Sequence, residues 1–321
     1  MNEFALIARY FTRAVNDASV RLGIGDDAAL VAPAPGCELA ISVDMLVEGR
    51  HFLPDVDPES LGHKTLAVNL SDMAAMGARP RWALLGGALP DADERWLEAF
   101  ARGLFALAER FGVTLIGGDT TRGPRNLCVT IIGEVPEGQA ITRSGARPGD
   151  DVWTSGTLGD AMLALAAMQG RTTIEREMLA RLSARLTRPE PRVALGEALR
   201  GIATAGLDIS DGLTGDLGHI LDASRVGARI EIGAIPRGDV LGSKLSSERA
   251  LALECLLAGG DDYELCFTAA PADRERVTAA GRACDVAVTR IGVVTRESGL
   301  RVVDERGEPT ASLPRSFDHF Q

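Results

Sequence analysis

Apolar positions along the chain fall into helix-like and strand-like runs. Leu6, Ile7, Tyr10 and Phe11 share one face of an amphipathic helix expected over 2–15. G-I-G-D-D at 23–27 follows as a carboxylate-rich turn, and 39–44 is a short apolar run closing on an acid, as in a buried strand whose tip carries function. Residues 58–78 have helical spacing, with Pro58 near the start and Gly77 near the end, and 91–111 reads as a second long helix. A strand over 113–117 is expected to stop at Gly118 and Asp119, and 127–132 reads as one more strand.

Between 134 and 150 the pattern lapses into a stretch rich in glycine and proline with few large apolar residues, which places a domain boundary near residue 140. The second half restarts with a strand at 151–154, a glycine turn S-G-T-L-G-D at 155–160 and a helical stretch to about 200, interrupted at 188–192. A strand then runs into Asp208, a helix starts at Asp211, strands lie near 229–232 and 264–268, and a helix lies near 271–283. Strands mixed with helices in both halves imply an α/β (α+β) protein of two domains, 1–140 and 141–321.

Composition narrows the function classes. The 321 residues carry 34 basic and 45 acidic side chains, a net charge of −11, so nucleic acid is not an expected partner. No window approaches the ~20 apolar residues of a membrane span, and no leader is legible, so a cytoplasmic location is expected. Five scattered cysteines (Cys37, Cys128, Cys255, Cys266, Cys284) without a C-x-x-C pair disfavour a disulfide framework. Glycine is high at 36 residues, and much of it stands beside aspartate, where the chemistry is concentrated.

Asp27, Asp44, Asp72, Asp119, Asp208 and Asp211 stand at expected strand ends, turns or helix ends. Any one of them is ordinary loop composition. Six together suit hard cations, because magnesium prefers a few carboxylates and completes its octahedron with water and phosphate oxygens. Asp208 and Asp211 are three apart at a strand-to-helix junction, and Ser210 between them can offer its hydroxyl or its backbone N–H to a phosphate. His51, His63, His219 and His319 show no zinc-like spacing. The common nucleotide motifs are absent; the glycine segments at 117–121 and 155–159 are weak candidates for backbone phosphate contacts.

Taken in order, Ile24-Gly-Asp-Asp-Ala-Ala29, Ser42-Val-Asp-Met-Leu-Val-Glu-Gly-Arg-His-Phe52, Val68-Asn-Leu-Ser-Asp-Met-Ala-Ala-Met-Gly-Ala78, Leu115-Ile-Gly-Gly-Asp-Thr-Thr-Arg-Gly123, Asp208-Ile-Ser-Asp-Gly-Leu213, Gly259-Gly-Asp-Asp-Tyr-Glu-Leu265 and Phe317-Asp-His-Phe320 resemble the thiamine-monophosphate kinase family. The resemblance implies the two-domain fold of the aminoimidazole-ribonucleotide (AIR)-synthetase-like, or PurM-like, superfamily. There the N-terminal sheets of a homodimer pair into a β-barrel, and a C-terminal α/β domain completes the ATP and thiamine phosphate site. It further implies phosphorylation of thiamine monophosphate by ATP with several Mg²⁺ ions. By motif position Asp27, Ser42, Asp44, Asp72, Asp119, Asp208 and Asp211 would hold metal. Gly118, Asp119, Arg143 and Ser210 would contact ATP, with Arg143 also catalytic. His51, Asp261 and Phe317 would meet the thiamine moiety.

Three positions depart from the family pattern: Val43 replaces a hydroxyl residue, Asp261 a glutamate and Phe317 a larger aromatic. On spacing alone Arg143 reads as a surface charge and His51 as a structural loop residue. Two other readings are another ATP-dependent enzyme of the superfamily, of the AIR-synthetase type, and a catalytically silent Mg–nucleotide binding module.

Overall fold

The computed structural model describes residues 3–304, 306–310 and 314. The chain divides into two compact units, one of residues 1–73 and 78–138 and one of residues 74–77 and 139–321.

In the first unit the opening helix α1 (Glu3–Leu6) runs into a π-turn over Ile7–Phe11, and Thr12 is already extended. The helix expected to reach 15 therefore ends at Phe11, after Tyr10 and Phe11 are buried. A small antiparallel pair, β1 (Val20–Leu22) and β2 (Leu30–Val31), precedes a four-stranded sheet. That sheet has β3 (Cys37–Val47) at one edge, then β6 (Asn126–Pro136), β4 (Arg79–Leu89) and β5 (Thr114–Arg122). Only β4 and β5 are parallel, as the intervening helix α3 (Glu94–Phe111) requires.

The caps of α3 follow from sequence. The Asp93 carboxylate accepts from Arg95 N and Trp96 N, and Gly112 closes the helix at φ 66°. The other long helix, α2 (Pro58–Ala75), is buried on nearly every side, including Ser60, His63, Lys64, Thr65, Asn69 and Ser71. It lies so close to α3 that a Cβ on Gly62 would come 2.0 Å from Phe100 O.

The second unit is built on a six-stranded sheet, ordered β12 (Gly299–Val303), β9 (Gly227–Glu231), β11 (Val288–Thr295), β7 (Asp151–Ser155), β10 (Leu265–Ala269) and β8 (Ala203–Asp208). All neighbours are antiparallel except β12 and β9. The helices are α4 (Asp160–Met168), α5 (Arg176–Thr187), α6 (Val193–Ala198), α7 (Leu213–Ser224), α8 (Asp239–Ser247), α9 (Arg249–Ala258) and α10 (Arg274–Ala283). Leu158, Leu163, Leu207, Leu217, Ile220, Ile230 and Leu256 fill one contiguous core between sheet and helices.

Two buried carboxylates brace this unit. Glu264 is fully buried and accepts from Arg185 Nη2 (2.8 Å), Arg192 Nε (2.7 Å) and Nη2 (2.6 Å), and Ser155 Oγ (2.6 Å). Asp151, also buried, takes Arg274 Nε (2.5 Å) and Nη2 (2.8 Å) and lies 3.4 Å from Arg290 Nη1. Burial alone would raise the Asp151 carboxyl, but hydrogen bonds and charge from Arg274 and Arg290 outweigh it and hold the group below its ordinary value.

Two predictions follow from these braces. Glu264→Ala leaves two guanidiniums facing each other without their shared anion, and urea unfolding should show a loss of about 3 kcal/mol. A midpoint and slope unchanged from the parent would refute that weight. Asp151 contributes stability that is fully present above the ordinary carboxylate value of 3.8 and is lost as pH falls through its lower folded-state value. Asp151→Asn should therefore melt below the parent at pH 7, with the gap closing in acid. A gap independent of pH contradicts the assignment.

Candidate functional site

In the first unit β3 and α2 bring three of the expected metal ligands together. Ser42 Oγ donates to Asp72 Oδ2 at 2.5 Å, and Asp44 N donates to Asn69 Oδ1 at 3.2 Å. Alternation along β3 puts Ser42 and Asp44 on the face toward α2. Val43 belongs to the other face and is 59% exposed, so the departure at this position falls on a different surface from Ser42.

The strands also correct the expectation that Asp44 and Asp119 end their strands. Asp44 lies inside β3 and Asp119 inside β5, because pairing with β6 and β4 continues for several residues beyond each carboxylate. Register aligns Asp44, Val129, Leu85 and Gly118 in one row, and Met45, Cys128, Gly86 and Asp119 in the next. Asp119 thus stands three strand spacings from β3, roughly 14 Å, and on the opposite face from Asp44. Within this unit Asp119 does not join the Ser42–Asp72 pair.

Gly118 has φ +150°, and a Cβ there would sit 1.9 Å from Leu85 O, so glycine is required by the close approach of β5 to β4. Asp27 is exposed in its turn, its N–H donating to Asp26 Oδ1 at 3.0 Å, which gives Asp26 a turn-forming role. His51 is held by its own loop. Its Nδ1 accepts from Val47 N at 3.0 Å, and its carbonyl accepts from the buried Lys64 Nζ at 3.2 Å.

The second unit gathers Asp208, Ser210, Asp211 and Asp261. Asp208 closes β8 and is buried, and α7 begins at Leu213, two residues later than expected, because the D-I-S-D-G segment turns before it coils. The G-G-D-D-Y-E loop continues the pairing with this turn. Asp261 N donates to Ser210 O at 2.9 Å, and Tyr263 N to Ile209 O at 2.8 Å. Asp261 and Tyr263 both adopt positive φ, 67° and 49°, strain that the flanking bonds sustain. Arg143 is exposed, with its carbonyl accepting from Ser224 Oγ at 3.2 Å. Phe317 lies outside the described residues.

Sequence reasoning missed two carboxylates here. Asp216 Oδ2 accepts from Ser210 N (3.1 Å) and Asp211 N (3.0 Å), and Asp262 accepts from Gly159 N through both oxygens (3.0 and 2.9 Å). Burial pushes the Asp216 carboxyl up to about 7; the Asp211 charge adds to the rise and the backbone donors oppose it. Burial likewise drives Asp262 well above the ordinary carboxylate range. The available signals were an acid in the first turn of a helix and the doubled aspartate of G-G-D-D.

These bonds revise the phosphate-cradle candidates. Gly156 N is taken by Ala287 O, Leu158 N by Pro236 O and Gly159 N by Asp262, so three amides of the 155–159 turn are spent within the protein. The backbone N–H of Ser210 is likewise spent on Asp216, leaving its hydroxyl as the group to offer a ligand. The 117–121 segment is strand, not turn.

Among the described residues no three carboxylate, imidazole or thiolate groups converge as a ready-made metal cage. The all-oxygen donor set still fits magnesium, which needs only one or two carboxylates and shares its remaining positions between water and phosphate.

Comparison with known proteins places this arrangement. Residues 25–135 match the AIR synthase related protein N-terminal domain and 147–305 the AIR synthase related protein C-terminal domain. A thiamine-monophosphate kinase of Salmonella typhimurium is 47% identical over 321 residues, covering 99% of this chain and 98% of its own. The crystal structure of thiamine-monophosphate kinase from Stenotrophomonas maltophilia superposes with a TM-score of 0.87 at 47% identity, over 96% of this chain and 98% of that one. AaThiL complexed with AMPPCP and TMP superposes with a TM-score of 0.79 at 30% identity, over 90% and 89%. Built from the two AIR synthase related domains and alike end to end in sequence and fold, this chain belongs to the thiamine-monophosphate kinase family.

Proposed function

We propose that the chain transfers the γ-phosphoryl group of ATP to thiamine monophosphate, giving thiamine diphosphate and ADP. The observation that carries this reading is the 47% identity to a thiamine-monophosphate kinase along essentially the whole of both chains. The AaThiL complex with AMPPCP and TMP supports both substrates. A cytoplasmic place belongs to the same reading, since ATP is the donor; among the described residues no helix is long and apolar enough to cross a membrane.

The acceptor is a phosphate monoester carrying about −1.5 to −2 charge near neutral pH, so its oxygen needs no strong general base. An acceptor phosphate oxygen bonds to the γ-phosphorus as the bond from that phosphorus to the β,γ-bridging oxygen breaks, and ADP leaves with the electron pair. The barrier is bringing two polyanions together on a protein that is itself acidic, at −11. In this proposal Asp27, Ser42, Asp44, Asp72 and Asp119 in the first unit, and Asp208 and Asp211 in the second, hold the magnesium ions. Bound magnesium would neutralise the phosphate charge and orient the transferred group. Arg143, Gly118, Asp119 and the Ser210 hydroxyl serve ATP, Arg143 adding positive charge where charge develops. His51, Asp261 and Phe317 serve the thiamine moiety. The tight Ser42–Asp72 hydrogen bond and the pinned Asp208–Asp211 turn support the metal assignment.

A homodimer through the four-stranded sheet is part of the proposal. On one face of the edge strand β3, Leu39, Ile41, Val43 and Met45 are 43%, 63%, 59% and 51% exposed, an apolar stripe that a second copy would cover.

Three tests address this reading. Product chromatography with ATP, Mg²⁺ and thiamine monophosphate should yield thiamine diphosphate and ADP in equal amounts, and none with EDTA; absence of thiamine diphosphate while ATP still binds would move the assignment to another member of the superfamily or to a silent module. Asp208→Asn and Asp211→Asn should each reduce kcat at least about 10²-fold with unchanged melting, and full activity in either would remove it from the metal ligands. Ile41→Lys should shift the sedimenting species from dimer to monomer; a monomeric parent at the same concentration contradicts the dimer.

A further inference from the structure

The turn carrying Asp208, Ser210 and Asp211 is fixed by a residue outside the motif. Backbone N–H groups ahead of a helix ordinarily form an anion site. Here those of Ser210 and Asp211 converge on Asp216 Oδ2 at 3.1 and 3.0 Å. Asp216 is 5% exposed and stands in the first turn of α7, its own N–H bonded to Gly212 O at 3.0 Å. On the other side the turn abuts the G-G-D-D loop. A Cβ on Gly260 would lie 2.4 Å from Ser210 O, and one on Gly212, at φ +110°, would lie 2.5 Å from the carbonyl carbon of Ala258. The peptide planes of 210–212 therefore have no slack toward either neighbour, and the amides of Ser210 and Asp211 are already taken.

We propose that Asp216 is a positioning residue for the Asp208–Asp211 pair. By occupying the Ser210 and Asp211 amides it fixes the backbone from which Asp208, Ser210 and Asp211 project. It also closes an anion site that would otherwise compete for phosphate, so the turn presents carboxylates to cations. The inference rests on the metal-binding reading of Asp208 and Asp211 above. It assigns Asp216 no contact with substrate.

The test compares the parent with Asp216→Ala, Asp216→Asn and Asp216→Glu. Mg²⁺ binding in the presence of AMPPCP is measured by calorimetry, alongside melting and inhibition of turnover by inorganic phosphate. Loss of an outer partner of a metal ligand typically weakens the metal by about 10- to 100-fold. The alanine variant should show a loss in that range and become sensitive to inorganic phosphate, because bare amides accept an anion. Asparagine, whose Oδ1 can take the same N–H groups, should restore most of the affinity and the phosphate resistance. A folded alanine variant with parental Mg²⁺ affinity and no phosphate sensitivity overturns the proposal, as does an asparagine variant as impaired as alanine. If alanine does not fold, glutamate decides: one extra methylene displaces the anchor, so a folded glutamate variant with parental Mg²⁺ affinity also overturns it. Asp208→Asn serves as the control for the underlying reading. If it leaves Mg²⁺–AMPPCP binding intact, the metal assignment itself has failed; if it abolishes binding while Asp216→Ala does not, only the role of Asp216 has failed.

Discussion

A carboxylate removed from water costs several kcal/mol unless cations or N–H donors replace its hydration, and besides Asp151 the C-terminal unit sets three more against such partners. Glu264 gathers Arg185, Arg192 and Ser155; Asp262 takes the Gly159 amide; Asp216 takes the amides at the head of α7. Glu264 and Asp262 tie together segments distant in sequence, and Asp216 a local turn. Glu264 and Asp262 bind the 259–264 loop to the 155–159 turn and to α5 and the start of α6, while Asp216 freezes the turn that follows β8. Removing any one would leave either unpaired guanidiniums or unsatisfied amides in a buried place, so the loops are rigid before any ligand arrives.

That rigidity separates two kinds of aspartate that look alike in composition. Asp216 and Asp262 are turned inward and consumed by the backbone. Asp208, Ser210, Asp211 and Asp261 ride on the backbone that they fix. In the N-terminal unit the same division falls between Asn69, which receives the Asp44 amide from its buried helix, and Ser42 and Asp72, which meet beside it. With the amides of Gly156, Leu158, Gly159, Ser210 and Asp211 already spent inside the protein, these turns offer a phosphate side chains in place of those N–H groups. A chemistry that joins two phosphates on an acidic protein is well served by that arrangement.

The sequence made the organisation legible where pattern and chemistry agreed. The long helices and the ordered aspartate motifs could be read from it. β4 could not, because Pro80 and the Gly86–Gly87 pair interrupt the alternation of what proves an internal strand; a register shift between Pro80 and Trp82 accommodates the proline. β11, β12, α8 and α9 were missed for want of clear punctuation. Asp44 and Asp119 looked like strand ends because acids rarely sit within strands, yet the backbone pairs past both. Asp216 and Asp262 were invisible as anchors, since their role depends on which amides the tertiary fold delivers to them.

In the proposed reaction the protein grips phosphate chiefly through cations held by aspartates, not through backbone amides. Calorimetric titration of AMPPCP into the protein, once in EDTA and once in Mg²⁺, tests it most directly. No measurable binding is expected in EDTA, and saturable binding with Mg²⁺. Comparable affinity in both would contradict it, because the phosphates would then be held without the cations that the aspartates are proposed to bind.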